Sequence, residues 1–283
     1  MIQNGIDRRR QARWGKAALS PQAPRWADEH ERDERQSTRR GDRGGAGISI
    51  GDHLTDALLA RGDTNVIVLD NLYRGRWANV ARYDGDPQFT FVHGDVRNQA
   101  HVDAHGVDVV YHLAAQSNVM GAVSDPRYSF DTNVAGTFNV LSAARDNGVC
   151  RVVFASSARL TRSPRHCPSR RPRSRSRTPA GRARSPPRST ATPSRTSSRL
   201  ETAVLRFSNV YGPRDHGRVI PLWIERSLKG EPLEVYGGGQ VIDFVWVGVA
   251  VEALLRRGRA AGRFPVNVAG GVATPIANSP RAS

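Results

Sequence analysis

The feature that most constrains the fold is a series of short apolar runs that alternate with helical patterns. A glycine cluster leads into an amphipathic pattern in which Leu54, Leu58 and Leu59 share one face. Apolar runs of strand length follow within TNVIVLDN, QFTFVHGDV, GVDVVYHLAA and GVCRVVFASS, and residues 126–147 have a long helical pattern. Because strands that alternate with helices pack into a parallel sheet covered on both faces, we predict an α/β fold with a doubly wound parallel sheet.

The alternation resumes after residue 200. The stretch LETAVLRFSNVYGP contains a buried-strand pattern, VIPLWIERSLKG a helix, and PLEVYG a short strand. IDFVWVGVAVEALLRRG indicates a strand that runs into a helix, and GRFPVNVAGG indicates a final strand and turn. These elements predict that the second half of the chain completes the same sheet.

Residues 159–199 interrupt this pattern. Twenty-nine of these forty-one residues are Arg, Ser or Pro, and the segment has one Leu and no Val, Ile, Phe, Tyr or Trp. Such a composition cannot bury enough apolar surface to offset the entropy lost on ordering the chain, so we predict disorder there. Residues 1–43 are also polar and lack sustained periodicity, and we predict that they are disordered or weakly helical.

The positive charge of the chain is concentrated in these two segments. Of the net charge of +16, residues 1–43 contribute +4 and residues 159–199 contribute +13, so the remainder sums to −1. We therefore expect nucleic acid to bind only non-specifically, through residues 159–199.

Two cysteines, Cys150 and Cys167, cannot form a disulfide framework, and Cys150 is predicted to be a buried thiol. No apolar run is long enough for a membrane span, and we predict a cytoplasmic protein without a metal site.

The glycine cluster and the acid after the next strand suggest a dinucleotide site. Gly44, Gly47 and Gly51 would let the backbone approach a pyrophosphate at a helix N-terminus. Asp70 ends the following strand, where a carboxylate would accept hydrogen bonds from the adenosine ribose and repel a 2′-phosphate, which favours NAD over NADP. Taken alone, the glycine cluster is more simply interpreted as a plain loop, whereas Asp70 is equally consistent with a turn residue.

The order of the motifs resembles a known family. GGAGISIGDHL, VIVLDN, HGDV, YHLAAQ, DTNVAGTFNVL, VVFASS, LRFSNVYGPR, VIPLWIERSLKGEPLEVYGGG and NVAGG occur in sequence. They resemble the NAD-dependent epimerase/dehydratase family of extended short-chain dehydrogenases, and most closely its UDP-glucose 4-epimerases. The resemblance covers roughly residues 44–158 and 200–275. It implies a Rossmann domain with a small C-terminal substrate lobe, NAD as cofactor, a UDP- or dTDP-hexose as substrate, and a possible homodimer.

The resemblance implies a role for each matching residue. In addition to the glycines and Asp70, the residues that would hold the dinucleotide are Asn71 at the ribose, Asp95 and Val96 at the adenine, Leu113, Ala114 and Ala115 along its length, and Asn133 as a brace. Ser157 would hydrogen-bond the sugar hydroxyl as a catalytic residue. The remaining substrate-binding residues would be Asn209, Val219, Leu233 and Tyr236. Their structural alternatives are a helix hydrogen bond for Asn133, a strand end for Ser157, and core positions for Val219 and Leu233.

The proton-transfer pair of the family is absent from this sequence. The resemblance implies that a Tyr phenolate takes the sugar proton while hydride passes to NAD, and that the Lys of Y-x-x-x-K lowers the pKa of that Tyr from about 10. The chain has only Lys16 and Lys229, and neither follows a Tyr by four residues. The motif should lie between Ser157 and residue 200. We therefore predict an enzyme with impaired catalysis.

Two hypotheses account for the inserted segment. The first hypothesis is that residues 159–199 are an out-of-frame translation, because Arg, Ser and Pro are common products of translating GC-rich DNA in the wrong frame. The same hypothesis extends to residues 1–47. It predicts that a shifted reading frame restores Y-x-x-x-K. The alternative is an Arg/Ser-rich module that binds nucleic acid or an acidic partner on a non-catalytic dinucleotide-binding remnant.

The predicted organisation is a low-order segment 1–43, a NAD-binding part 44–158, an insert 159–199, the remaining strand and substrate lobe 200–275, and a tail 276–283.

Overall fold

The computed structural model describes most of the chain outside the two basic segments. The described residues are 50–117, 119–158, 200–215, 218–233, 235, 239–260 and 264–276, together with the backbone of residues 2–4. The predictions made for the remainder of residues 1–43, for the insert 159–199 and for most of the tail 276–283 lie outside the described residues.

A seven-stranded sheet forms the centre of the fold. Its strands are β1 Ile2–Asn4, β2 Val66–Asp70, β3 Phe89–His93, β4 Val109–His112, β5 Arg151–Ser157, β6 Glu201–Phe207 and β9 Val266–Val268. Their spatial order is β3-β2-β1-β4-β5-β6-β9. The pairs β2–β3, β4–β5, β5–β6 and β6–β9 are all parallel, which confirms the doubly wound parallel sheet.

The central strand differs from the expectation. Strand β1 pairs antiparallel with both β2 and β4, and it comes from the segment 1–43, for which we predicted low order. The inner edges of β2 and β4 would otherwise present unpaired N–H and C=O groups in the middle of the molecule. A three-residue extended segment satisfies these groups. Composition alone did not predict this pairing, because it depends on two strands that are distant in sequence.

A smaller sheet accompanies the large one. It contains β7 Asn209–Tyr211, β8 Val241–Trp246 and β10 Ala273–Pro275 in the order β10-β8-β7. The predicted short strand PLEVYG is wrong for residues 232, 233 and 235, the residues of that stretch that the structure describes, because none of them belongs to a strand.

Six α-helices accompany the strands in the described part of the chain. They are α1 Ile50–Leu59, α2 Val119–Ser124, α3 Pro126–Phe130, α4 Gly136–Asp146, α5 Val219–Leu228 and α6 Val247–Arg259. A π-helical turn, Asp131–Ala135, joins α3 to α4, so the helix predicted over 126–147 is confirmed as one continuous helical segment. The side chain of Asp125 caps α3 by accepting from Tyr128 N at 2.8 Å. No described helix combines the length and the apolar composition that a membrane span requires.

Alternating side chains along the strands build two hydrophobic cores, one on each face of the sheet. Tyr111 and Val153 point into the core that α1 and α6 cover, whereas their neighbours Val110 and Val152 point into the core that α4 covers. All four side chains are at most 2% exposed. The period of two in strands β4 and β5 therefore explains why helices are needed on both faces.

The prediction for Cys150 is wrong. Its side chain is exposed, whereas the preceding Val149 is buried in the core under α4. Cys150 lies in the turn between α4 and β5, before the alternation of the strand begins, so the apolar run beside it does not determine its burial.

Candidate functional site

The candidate site lies along the edge of the large sheet where the parallel strands end. In an open α/β sheet, ligands bind at this edge, where the strand order reverses. The reversal occurs at β1, which lies between β2 and β4. Asp70 ends β2, Leu113 directly follows β4, and Ser157 ends β5. The fold therefore brings these predicted residues to the same edge.

The loop after β2 is folded back onto the carboxylate of Asp70. The Oδ1 atom accepts a hydrogen bond from Leu72 N at 2.7 Å. Leu72 has a φ of 54°, a left-handed conformation that is unusual for this residue type, and its side chain is buried. A Cβ atom on Gly75 would lie 3.2 Å from Asp70 Oδ1, so the chain passes close to the carboxylate there. These contacts hold Asp70 at the end of its strand.

Asn71 and Asp95 connect the ends of β2 and β3. Asn71 Nδ2 donates to Asp95 Oδ2 at 2.8 Å. Arg97 also donates to both carboxylate oxygens of Asp95, from Nε at 3.0 Å to each and from Nη2 at 2.7 Å to Oδ2. Burial alone would raise the pKa of Asp95, but the hydrogen bonds from Arg97 and Asn71 outweigh it and lower that pKa to about 2. Asp95 is therefore an anion at any physiological pH.

Val96 anchors the loop after β3 to helix α4. Its side chain is buried, and a Cβ atom on Gly136 would lie only 2.7 Å from Val96 Cγ2. Asn139 Nδ2 donates to Val96 O at 2.9 Å. The absence of a side chain at Gly136 therefore lets the first turn of α4 approach this loop closely.

Asn133 braces the loop after β4. Its Oδ1 accepts from Gln116 N at 2.8 Å, and its Nδ2 donates to Gln116 O at 3.1 Å. This loop contains Leu113, Ala114 and Ala115, of which Ala115 is exposed. The Oε1 atom of Gln116 is buried and has no hydrogen-bond partner among the described residues. A buried acceptor of this kind costs free energy unless a ligand or water donates to it.

His112, the last residue of β4, is a neutral core residue. It is 1% exposed, and its Nε2 lies 3.0 Å from Thr137 Oγ1. The Thr137 hydroxyl already donates to Asn133 O at 2.7 Å, so it can only accept from His112, which places the proton on Nε2. Burial lowers the pKa of His112 to about 3. Its role is to support the helix that carries Asn133.

The other predicted residues are distributed as follows. Ser157 is an exposed residue opposite Phe207 of β6, and Asn209 begins β7 opposite Phe244 of β8. Val219 begins α5 and Leu233 follows it; both are half-buried, so neither is a fully buried core residue. Gly51 lies in the first turn of α1, where its carbonyl accepts from Thr55 Oγ1. Gly44, Gly47 and Tyr236 lie outside the described residues.

The interaction of Arg74, in the loop after β2, with Arg218 and Asp215 was not predicted from the sequence. Arg74 Nη1 lies 3.5 Å from Ser117 Oγ, in the loop after β4. Burial, followed by the nearby charge of Arg218, lowers the pKa of Arg74, whereas the carboxylate of Asp215 opposes this shift. Arg74 is far in sequence from Arg218 and Asp215, and no local pattern indicates that their charges interact.

Arg214 connects the loop after β7 to helix α1. Its Nε lies 2.9 Å from Asp52 Oδ2, and its Nη2 lies 2.7 Å from Asp56 Oδ2. Burial raises the pKa of Asp52, and the charge of Arg214 opposes that rise. The motif YGPR identified this segment, but the buried partner on α1 could not be deduced from the motif.

A family model and several known proteins match this chain. Residues 43–268 match the model described as the NAD dependent epimerase/dehydratase family. UDP-glucuronic acid decarboxylase 4 of Arabidopsis thaliana is 33% identical over 227 residues, which are 75% of this chain and 49% of that relative. The chain thus spans about half the length of that relative.

Two solved structures are similar in both sequence and fold. The UDP-glucose 4-epimerase of Thermus thermophilus, solved in complex with NAD, is 30% identical with a TM-score of 0.61, and the match covers 82% of this chain and 78% of that one. A double mutant of the dTDP-glucose 4,6-dehydratase of Streptomyces venezuelae, solved with NAD bound, is 30% identical with a TM-score of 0.62, and the match covers 82% and 76%.

Proposed function

The chain belongs to the NAD-dependent epimerase/dehydratase family, and from this premise we propose that it binds NAD and a nucleotide sugar but turns the sugar over poorly. NAD is the cofactor of the family, and that prediction is confirmed. The relatives named above act on UDP-glucuronic acid, UDP-glucose and dTDP-glucose. We therefore propose a UDP- or dTDP-hexose as the substrate class.

The described residues fit the adenosine half of NAD. Asp70 is held at the end of β2, Asn71 and Asp95 join two strand ends, and the loop braced by Asn133 presents the buried acceptor of Gln116. Bound NAD would supply the acceptor for the hydride that leaves the sugar. The protein's own contribution in this half is to bind and orient the adenosine.

The missing Y-x-x-x-K pair is the observation that carries the proposal of poor turnover. Lys229 is the only lysine among the described residues, and its Nζ pairs with Glu225 at 2.6 Å on the surface of α5. Burial raises the pKa of Tyr83, Tyr111 and Tyr128, which is opposite to the shift that a phenolate base needs. Ser157, exposed at the end of β5, would still hydrogen-bond a sugar hydroxyl.

We also propose that the protein forms a homodimer through the helical segment 126–146. Phe130, Val134 and Phe138 recur at every fourth position of this segment, and each side chain is more than half exposed. Large apolar side chains repeated along one helix are typical of a surface that another molecule covers.

The test measures binding and turnover on the same preparation of the full chain. Calorimetric titration with NAD should show saturable binding at one site. Conversion of UDP-glucose, UDP-glucuronic acid and dTDP-glucose should be at least about a hundred-fold slower than that of the Thermus epimerase or of the Streptomyces dehydratase without mutations, each on its own substrate. The reason is that general acid–base catalysis contributes about 10²–10⁴ in rate.

The two halves of the proposal fail in different ways. Absence of NAD binding by a folded preparation would refute dinucleotide binding. Turnover less than about a hundred-fold slower than that of these relatives would instead show that another pair of residues performs the proton transfer, and the proposal of impaired catalysis would be wrong.

A further inference from the structure

An aromatic and cationic cluster borders the two residues that join β2 and β3. The ring of Tyr128, in helix α3, lies 4.6 Å from the ring of Tyr73, centroid to centroid, with 31° between their planes. The guanidinium carbon of Arg97 lies 4.3 Å from the centroid of the Tyr128 ring. Both contacts are within the range in which aromatic stacking and cation–π attraction are favourable.

The same tyrosine is hydrogen-bonded to the predicted adenosine site. Asn71 Nδ2 donates to Tyr128 Oη at 3.3 Å as well as to Asp95 Oδ2 at 2.8 Å. Tyr73 N donates to Asn71 Oδ1 at 3.1 Å. Every polar atom of the Asn71 side chain is therefore oriented by Tyr128, Tyr73 or Asp95.

We propose that Tyr128 is a positioning residue for the adenosine half of NAD, acting with Tyr73 and Arg97. This inference rests on the proposed function, because it presumes that Asn71 and Asp95 contact the adenosine. Tyr128 aligns the Asn71 amide through its hydroxyl and holds Arg97 against Asp95 through its ring. Helix α3 thereby closes the outer side of the adenosine pocket, and the two strand ends alone do not complete that pocket.

Tyr128, Arg97 and Tyr73 are only partly buried, as expected of side chains that line the opening of a binding site. Tyr128 is half-buried, the Arg97 side chain is 38% exposed and Tyr73 is 58% exposed. A structural core residue would be buried more completely. The exposed surface of Tyr73 is therefore available for contact with a base, which has a π-face suitable for stacking.

The experiment compares Tyr128→Phe with a matched control, Tyr83→Phe. Tyr83 has the same kinds of neighbours but contacts neither Asn71 nor Asp95 in any described hydrogen bond. Its hydroxyl donates to Asp56 at 2.7 Å, its ring lies 5.6 Å from that of Phe89, and the Arg82 guanidinium lies 4.7 Å from its centroid. The ligands are NAD by calorimetry, and 5′-AMP and nicotinamide mononucleotide by competition against NAD. These fragments represent the adenosine half and the nicotinamide half.

We expect Tyr128→Phe to weaken the binding of NAD and the binding of 5′-AMP by the same factor, roughly three- to ten-fold. This factor corresponds to the loss of one hydrogen bond. Tyr128→Phe should bind nicotinamide mononucleotide with the same affinity as the wild type. Tyr83→Phe should bind all three ligands with wild-type affinity. Tyr73→Leu, at a position that is 58% exposed, should also weaken the binding of 5′-AMP selectively. This variant keeps the test informative if Tyr128→Phe lowers the yield of folded protein.

Distinct results overturn the inference and the function on which it rests. If wild type binds NAD and 5′-AMP but the Tyr128 and Tyr73 variants bind them as tightly as Tyr83→Phe does, the positioning role is refuted and the proposed function stands. Equal weakening of the binding of 5′-AMP and of nicotinamide mononucleotide would also refute the positioning role, because the substitution would then act on the whole dinucleotide site and not on its adenosine half. If folded wild type binds neither NAD nor 5′-AMP, the proposed function itself fails.

Discussion

At the scale of single residues, the site depends on polar side chains whose partners come from distant segments. Asp95 is a clear case, because its low pKa results from Arg97 in the same loop and from Asn71, which lies 24 residues earlier at the end of another strand. The sequence motif GDV placed Asp95 correctly after β3. It did not indicate that donors from two residues, Asn71 and Arg97, already bind the carboxylate.

His112 gives a prediction about pH. Its pKa is about 3 in the folded protein and about 6.5 in an unfolded chain, so below pH 6.5 the unfolded state binds the extra proton. The contribution of His112 to stability is therefore fully present above pH 6.5 and is lost as the pH decreases towards 3. Between about pH 7.5 and pH 5 we expect a loss of about 2 kcal/mol in the free energy of unfolding, measured by urea denaturation.

The variant His112→Leu isolates this contribution, because it removes the titrating group while Thr137 keeps its bond to Asn133 O. Between about pH 7.5 and pH 5, the variant should lose less of its free energy of unfolding than the wild type does, by most of about 2 kcal/mol. His105→Gln, at an exposed position, should retain the wild-type dependence. An unchanged pH dependence in His112→Leu would show that the buried histidine is not its source.

At the scale of elements, close packing of helices on the sheet depends on glycine at specific contacts. Helix α6 crosses β4 at Gly258, where an added Cβ atom would lie 1.9 Å from Tyr111 Oη. Tyr111 is 2% exposed and is packed among the side chains of the core that α1 and α6 cover. Arg151 also donates to Gly258 O and thereby ties α6 to β5. The last turn of α6 is thus held at a fixed distance from the sheet.

Gly258→Ala is therefore expected to destabilise the protein. Overpacking costs about 1–3 kcal/mol, and the better helix propensity of alanine returns about 1 kcal/mol. The net loss should lower the midpoint of urea unfolding relative to wild type. Arg259→Ala, at the exposed neighbouring position in the same turn, is the control and should change the midpoint little. A Gly258→Ala midpoint equal to that of wild type would mean that Tyr111 can be displaced without cost.

At the scale of the whole molecule, the exposed apolar side chains predict self-association. A dimer formed through the segment 126–146 would cover Phe138, which is 68% exposed. Phe138→Glu should halve the mass measured by light scattering coupled to gel filtration, because a charge cannot be buried there unpaired. Phe264→Glu, at a comparably exposed phenylalanine elsewhere, should leave the mass unchanged. A monomeric wild type would refute the dimer.

The sequence by itself determined the alternation of elements and the strand ends near which Asp70, Asp95 and Ser157 lie. Apolar periodicity and the order of motifs are local properties, and they were sufficient to predict the doubly wound sheet and the family. The absence of Y-x-x-x-K is equally a property of the sequence, and the proposal of poor turnover follows from it.

Only the tertiary structure decided which polar groups meet. The contacts of Tyr128 with Asn71 and of Arg214 with Asp52 join elements that are far apart along the chain. The electrostatic interaction of Arg74 with Arg218 and Asp215 does the same. The same is true of β1, whose antiparallel pairing satisfies the otherwise unpaired edges of β2 and β4. Local patterns determine elements, whereas hydrogen bonds and charges are satisfied wherever the packed chain brings a partner within reach.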